Sequence, residues 1–308
     1  MILPLIYCLF GIFLLLRCGD WFVDAAGNLA EIWGMPKFLV GATVVALATS
    51  LPEILVSIFA AYQGISDLAV GNAVGTVSAN IGLILGISLV FLPDKIGKRQ
   101  LFFQGILLVL TPVALVIWGP DGLSTGECLL IFGLFILFLW ENTGFSKENP
   151  PPKEVPAMAL GCCLFFFLVG GAGIAFGSRL LVDNGTVLAG LLGVSPRVIA
   201  VTLVSVGTAL PELVTTLTAV RKGQTALSVG NVLGASILDL TTILPISALV
   251  SPGILTFSAE NLAVDLPMCI LLGLVAVVPP LVKGRFYRWQ GGALLGLYGG
   301  YLTFSLLT

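Results

Sequence analysis

The sequence predicts an all-α polytopic membrane protein, with ten transmembrane helices in two inverted-topology repeats of five. Three observations carry that prediction. The 308 residues are 57% hydrophobic and only 10% charged, with a mean hydropathy of +1.09, whereas a soluble domain carries about a quarter charged residues. Too few polar groups exist to coat a water-exposed surface, so the solvent for most of the chain is lipid. Apolar stretches long enough to cross a bilayer recur along the whole length. One polar pattern also appears twice, at a fixed spacing.

Taken in order, the first span covers residues 2–29. Its apolar opening has no basic residue before it and no small-residue cleavage site after it, so it reads as half of a long helix, not a cleaved signal peptide. Spans at 37–62, 68–92, 100–118 and 124–141 follow, separated by Gly, Pro and polar clusters. The longest polar break runs from Asn142 to Pro156 and contains Lys147, Glu148, Lys153, Glu154 and the prolines 150–152. It predicts a first repeat at 1–142, a cytoplasmic linker at 143–156 and a second repeat at 157–308. The second repeat holds spans at 157–189, 197–220, 226–250, 261–282 and 289–307.

Basic residues set the orientation. Lys37, Lys95, Lys98, Arg99, Lys147, Lys153, Arg221, Lys222, Lys283, Arg285 and Arg288 are eleven of the 14 Lys and Arg residues, and all fall on one set of connections. The opposite connections hold only Arg197, while Arg17 and Arg179 lie inside spans. Cytoplasmic connections carry the excess of Lys and Arg. The prediction is a multi-pass cell-membrane protein with both termini extracellular. A net charge of −2 is too small to imply a nucleic-acid partner.

The repeat is ungapped across three segments. Gly41 to Glu53 recurs as Ala200 to Glu212, Gly71-Asn72…Gly75 as Gly230-Asn231…Gly234, and Asp24 as Asp183, always 159 positions later. Five predicted spans separate equivalent positions, and five is odd, so the second copy crosses in the opposite sense. Inverted repeats are an architecture of secondary transporters, with the site near the midplane where the copies meet.

The repeated segments also hold the buried charge. An ionised side chain at mid-bilayer costs ~2.5–3.5 kcal/mol. Glu53, Glu212 and Asp239 lie well inside apolar spans, so together they cost about 8–10 kcal/mol, with no Lys or Arg at comparable depth in their spans. A bound cation is the simplest compensation. Thr49 and Ser50 precede Glu53 by four and three residues, on its helical face, and Thr208 stands in the same place before Glu212. Pro52 and Pro211 kink their helices and free carbonyl oxygens near Ala46 to Ala48 and Ser205 to Gly207. Thr76 and Asn80 add a hydroxyl and an amide one turn apart, and Asp239 occupies the position equivalent to Asn80. Gly71, Gly75, Gly230 and Gly234 let these helices approach closely. Asn72 and Asn231 read as helix–helix hydrogen-bonders. Asp20, Asp24, Asp183, Arg17 and Arg179, in the two long spans, read as pairing with each other or lining a water path.

Such a set offers carboxylate, amide, hydroxyl and carbonyl oxygen. Oxygen-only coordination selects hard cations, and flexible mixed oxygens suit Ca2+ better than Mg2+, which demands octahedral order. Two glutamates from opposite repeats favour a divalent ion. Histidine is absent, which excludes His-ligated zinc or iron, a His proton relay and a Ser–His–Asp triad. The chain also lacks Gly-x-Gly-Asp and Gly-x-Ser-Gly, so intramembrane proteolysis has no parts and no enzyme is predicted. The six cysteines have no CxxC spacing and read as small apolar residues.

Ala48-Thr-Ser-Leu-Pro-Glu53 and Gly207-Thr-Ala-Leu-Pro-Glu212, with Gly71-Asn72…Asn80 and Gly230-Asn231…Asp239, resemble the two alpha repeats of the Ca2+/cation antiporter superfamily. The prokaryotic sodium/calcium exchangers are the nearest resemblance, and it covers nearly the whole chain. It implies long tilted spans 1 and 6 sliding against a core of the other eight, and four ion sites in a diamond. By position, Glu53 and Glu212 would ligate both Ca2+ and Na+, assisted by Thr49 and Thr208. Ser50, Thr76, Asn80, Asp239 and the carbonyls of Ala46 and Ser205 would complete the set. Two positions depart from the family: Ala209 stands where Ser is usual, and Ala235 where a hydroxyl is usual. Each removes an oxygen from a flanking Na+ position, while the Ca2+ position keeps its two glutamates and two threonines.

The resemblance therefore implies a secondary antiporter exchanging Ca2+ for Na+ by alternating access. It would work as a monomer in lipid, with no cofactor beyond the transported ions. An H+/Ca2+ or other cation/Ca2+ exchanger of the same superfamily is the alternative, although proton exchangers typically carry an acid where Gly75 and Gly234 stand. A passive cation channel is a remoter one, since the inverted repeat and the lack of an oligomeric pore motif argue against it.

Overall fold

A computed structural model describes residues 2–91, 98–148, 156–192, 207 and 209–307. The protein is built from helices, with no β-strand among the described residues. In chain order these are α1 (Ile2–Trp33), α2 (Lys37–Thr49), α3 (Leu51–Tyr62), α4 (Ser66–Phe91), α5 (Lys98–Trp118) and α6 (Thr125–Glu148). There follow α7 (Leu160–Leu191), α8 (Leu210–Arg221), α9 (Thr225–Val250), α10 (Asn261–Lys283) and α11 (Arg288–Leu307). Among the described residues, 7 helices are long and apolar enough to cross a membrane: α1, α4, α5, α6, α7, α9 and α10. The pair α2–α3, bent by 50°, makes up to 8. The first part of expected span 7, residues 197–206, and Thr208 lie outside the described residues, and the rest is seen mainly as α8.

Hydrophobic residues face outward as well as inward. On α1, Leu3, Leu9, Phe13 and Leu16 are exposed while Leu15, Cys18 and Phe22 are buried. Water would penalise such a surface and hydrocarbon does not. The molecule's interior, conversely, collects polar side chains from α2, α3, α4, α8 and α9.

Two helix pairings frame that interior. Helices α1 and α7, each 32 residues long, cross where small residues remove side-chain bulk. A Cβ on Gly11 would sit 2.9 Å from the Gly177 carbonyl, and one on Gly177 would sit 3.0 Å from the Gly11 carbonyl. Phe22 and Phe167 stack beside this crossing, with ring centroids 4.5 Å apart. The second pairing sets α9 against α2: a Cβ on Gly230 would strike the carbonyl of Phe38, and one on Gly234 the carbonyl of Ala42. These two glycines do what the sequence expects of them. Gly71 and Gly75 meet nothing within 4 Å among the described residues.

The first part of the expected linker, residues 143–148, is helical, because α6 continues to Glu148. Asn142 is buried within that helix: its Nδ2 donates to the Phe138 carbonyl at 2.7 Å, and its Oδ1 accepts from Gln104 of α5 at 3.4 Å. A polar residue with two such partners continues a helix and does not end it.

Candidate ion-binding site

The chain breaks where Leu-Pro-Glu occurs. Pro52 has no N–H to give the Ala48 carbonyl, and its ring crowds that carbonyl. The backbone responds at Ser50, with φ −82° and ψ 2°, between α2 and α3. Ala209, the equivalent residue ahead of Pro211, has φ −82° and ψ 5°. Both lie in the sparsely populated bridge region where many functional residues sit. Glu53 and Glu212 thus fall in the first turns of α3 and α8, where free backbone N–H groups and the helix dipole favour negative charge.

A second irregularity was not foreseen. Inside α4 and α9 the helix widens into π-turns at Asn80–Leu85 and Asp239–Ile243. Each begins at a predicted site residue, and π-turns are frequent at functional sites, although two others, at Gly41–Val45 and Asn261–Asp265, begin at no predicted site residue. Apolar patterning carries no signal for them, since the flanking residues suit an α-helix equally well.

The side chains then meet across the repeats. Ser50 Oγ donates to Glu212 Oε1 at 3.0 Å, and Asn80 Nδ2 donates to Asp239 Oδ2 at 3.5 Å. Thr49 Oγ1 donates to Asn231 Oδ1 at 3.4 Å. Glu212 and Asp239 are the charged neighbours of Glu53. Glu53, Ser50, Asn80, Glu212 and Asp239 are all fully buried, and Thr49 and Thr76 nearly so. Even so, both oxygens of Glu53, Oε2 of Glu212, Oδ1 of Asp239 and Oδ1 of Asn80 have no hydrogen-bond partner among the described residues. A buried acceptor without a donor is costly, the more so if charged. The ion pairs found among the described residues engage Glu31, Asp20, Asp24 and Asp183 instead.

Several expectations resolve in detail. The Ala46 carbonyl keeps its helical bond from the Ser50 N–H at 2.9 Å, and the single Thr49 hydroxyl proton has two acceptors in reach, that carbonyl at 3.2 Å and Asn231 Oδ1 at 3.4 Å. Thr76 is buried. Thr208 and Ser205 lie outside the described residues. Asn72 and Asn231 do bond neighbouring helices. Asn72 Nδ2 reaches Ser57 Oγ at 2.9 Å and the Glu53 carbonyl at 3.3 Å, and Asn231 Nδ2 reaches Thr216 Oγ1 at 3.3 Å. Ser57 and Thr216 are repeat equivalents that the sequence reading passed over. The conserved Asn-to-hydroxyl spacing of 15 residues within each copy was the available signal. Arg179 pairs with Asp183 at 3.6 Å as expected. Asp20 and Asp24 bond Arg221 and Lys222 of the α8 end, and Arg17 lies over the Trp21 ring at 5.6 Å.

Among the described residues, no three Cys, Asp or Glu side chains gather closely enough to hold a metal ion alone. A cation here would take hydroxyl, amide and carbonyl oxygens as well as carboxylates, a mixed hard-oxygen set.

Comparison with known proteins agrees in sequence and in fold. An uncharacterised membrane protein of Methanocaldococcus jannaschii is 35% identical over 303 residues, covering 97% of this chain and 96% of its own. The sodium/calcium exchanger MaX1 of Methanosarcina acetivorans is 28% identical over 338 residues, covering 96% of each chain. A solved structure of the sodium-calcium exchanger NCX_Mj, soaked with 2.5 mM Na+ and 0.1 mM Ca2+, is similar with a TM-score of 0.83 at 33% identity over 97% of both chains. The pattern that defines sodium/calcium exchanger proteins matches residues 3–143 and 163–307. The chain is a multi-pass membrane protein that belongs to the sodium/calcium exchanger protein family.

Proposed function

We propose that the protein exchanges Ca2+ for Na+ across the membrane by alternating access. The observation that carries this reading is the set of buried carboxylate oxygens on Glu53, Glu212 and Asp239 that no donor among the described residues satisfies. Protein folding alone gives no reason to keep them, whereas a cation that binds and leaves does. Family membership and the exchanger MaX1 support cation/Ca2+ exchange.

In this reading Glu53 and Glu212 ligate the ion from opposite copies of a ten-span, inverted repeat, with halves at 1–142 and 157–308. Thr49, Ser50, Thr76, Thr208, Asn80 and Asp239 supply further oxygens, with the Ser205 carbonyl. The Ala46 carbonyl joins them once Thr49 turns its hydroxyl away. Ca2+ and Na+ compete for the same carboxylates, and the empty, negatively charged centre resists changing sides, so one ion returns as the other leaves. The protein works as a monomer in the cell membrane, termini outside, with no cofactor and no enzymatic step.

The test is Ca2+ uptake by proteoliposomes under imposed Na+, K+ and H+ gradients. An outward Na+ gradient is expected to drive 45Ca2+ inward. Uptake driven by H+ without Na+ would move the assignment to H+/Ca2+ exchange, and uptake needing no opposing gradient would make the protein a channel.

A further inference from the structure

The two Leu-Pro-Glu helices diverge beyond their glutamates. In α8, Glu212, Thr215 and Thr218 recur every third residue, where α3 has Glu53, Val56 and Phe59. Val56 and Phe59 are 42% and 60% exposed, as suits side chains that meet lipid. Thr215 and Thr218 are buried. Helix α8 lies against α9, α1 and the second half of α4, and α1 covers Thr218. A Cβ on Gly19 of α1 would sit 3.0 Å from Val214 Cγ1 and 3.1 Å from Thr218 Oγ1.

The Thr215 hydroxyl has no partner among the described residues. Three other threonines in helices turn back onto the carbonyl four residues earlier: Thr43 onto Leu39 at 2.8 Å, Thr186 onto Val182 at 2.7 Å and Thr241 onto Ile237 at 2.6 Å. That bond satisfies a hydroxyl shielded from water. Thr215 has the Pro211 carbonyl at the same spacing and does not use it. Its neighbour Thr216 accepts from Asn231 Nδ2 at 3.3 Å, so the polar contact between α8 and α9 falls to Thr216 and not to Thr215. One helical turn back on the same face, about 4.5 Å along the axis, Glu212 Oε2 also lacks a donor.

We propose that Thr215 and Thr218 line the exit by which the cation leaves the centre toward the Arg221 end of α8, Thr215 offering the first oxygen after Glu212. The proposal rests on the exchange reading above, which places that end in the cytoplasm. A cation moving off a carboxylate needs each lost ligand replaced in turn, or the barrier to leaving rises. A hydroxyl without a partner supplies one and breaks no protein bond in doing so. Helix α1 lies over the far part of this line at Gly19, so the exit is covered in this structure and opens as α1 moves off α8.

The full chain in proteoliposomes tests this through Thr215→Val, which keeps the side-chain shape and matches Val56 of the first copy. Maximal cation-driven 45Ca2+ flux is expected to fall about tenfold, while half-saturating Ca2+ changes less than about twofold. In detergent the ion-free variant should melt no lower than the wild type, because an unsatisfied buried hydroxyl has gone, and Ca2+ should still raise its melting temperature. Thr215→Ser, which returns the hydroxyl, should recover most of the flux, and Thr218→Val should slow it by a smaller factor, about threefold. Unchanged maximal flux in Thr215→Val overturns the proposal. So does a Thr215→Val protein that melts lower and loses flux in proportion, since the hydroxyl then serves packing. Loss of the Ca2+ response in that variant overturns it as well, since Thr215 is then a ligand of the centre. A wild type without cation-driven Ca2+ flux is a separate result, which removes the exchange reading and leaves no exit to line.

Discussion

The protein houses its acidic residues in two opposite ways. At the centre, Glu53, Glu212 and Asp239 are fully buried, carry oxygens without donors and have no basic partner among the described residues. At the crossing of α1 with the end of α8, Asp20 and Asp24 are partly exposed and held by Arg221 and Lys222, with Lys222 Nζ at 3.6 Å from Asp20 and 2.7 Å from Asp24. The same chemical group is thus neutralised by the protein in one region and left unneutralised in the other. Coulomb attraction between fixed partners is cheap to provide near a wet surface. In hydrocarbon it is withheld where a mobile partner must be able to take its place. Under the proposed exchange, the second arrangement serves folding and the first a ligand.

The largest effect that could break this contrast is at the centre. Glu53→Gln and Glu212→Gln each remove a charge but keep the shape. Both are expected to lower Na+-driven 45Ca2+ flux at least about 100-fold, as loss of a charged ligand worth about 3 kcal/mol requires. Wild-type protein in detergent is also expected to gain about 2.7 kcal/mol of stability at Ca2+ of 100 times its Kd. The variants should show no Ca2+-dependent rise in melting temperature, while the ion-free variants melt above the ion-free wild type because a buried charge has gone. Normal flux in both variants, or variants that melt lower without Ca2+, would mean that these acids serve the fold after all.

A middle-sized effect concerns how the centre is assembled. The central acids meet because backbone approaches backbone, whereas the α1 end is joined by long flexible side chains. A Cβ on Gly234 would strike the Ala42 carbonyl, and neither backbone can yield as a side chain would. Gly234→Ala is therefore expected to cost about 1–3 kcal/mol by overpacking and to weaken Ca2+ binding, read as a higher half-saturating Ca2+ in flux assays. Gly71→Ala, which meets nothing within 4 Å among the described residues, is the matched control, with a smaller expected loss.

How much of this was legible beforehand follows from which forces write themselves into a single chain. The long apolar helices and the burial of the three central acids were readable, since hydropathy and a repeat of 159 positions are properties of the sequence itself. The break ahead of Glu53 was readable from Pro52, but its placement at Ser50 and the π-turns starting at Asn80 and Asp239 were not. Those are choices between nearly equal backbone forms, decided by neighbouring helices. Partners across long separations were equally hidden. Nothing local distinguishes Asp20 pairing with Arg221 from Asp20 pairing with Arg17, and only the fold brings α8 to α1. The engaged Ala46 carbonyl was missed because the donor that Pro52 removes belongs to Ala48, while Ala46 keeps the Ser50 N–H.

The smallest expected effect lies at the α1 end and decides whether the contrast is real. Lys222 and Asp24 have side chains 24% and 40% exposed, so solvent screens their attraction, and Lys222→Ala is expected to cost less than about 1 kcal/mol. The wild type should lose that increment as salt rises from 0.01 to 1 M, where the Debye length falls from about 30 to 3 Å. The variant's melting temperature should then be nearly independent of salt. Ca2+-dependent stabilisation should survive in the variant, because the ion pair lies outside the centre. If Lys222→Ala instead abolished the Ca2+ response as a central glutamine does, the ion-paired acids would belong to the ion's path, and a division between acids for folding and acids for the ligand would have to be abandoned.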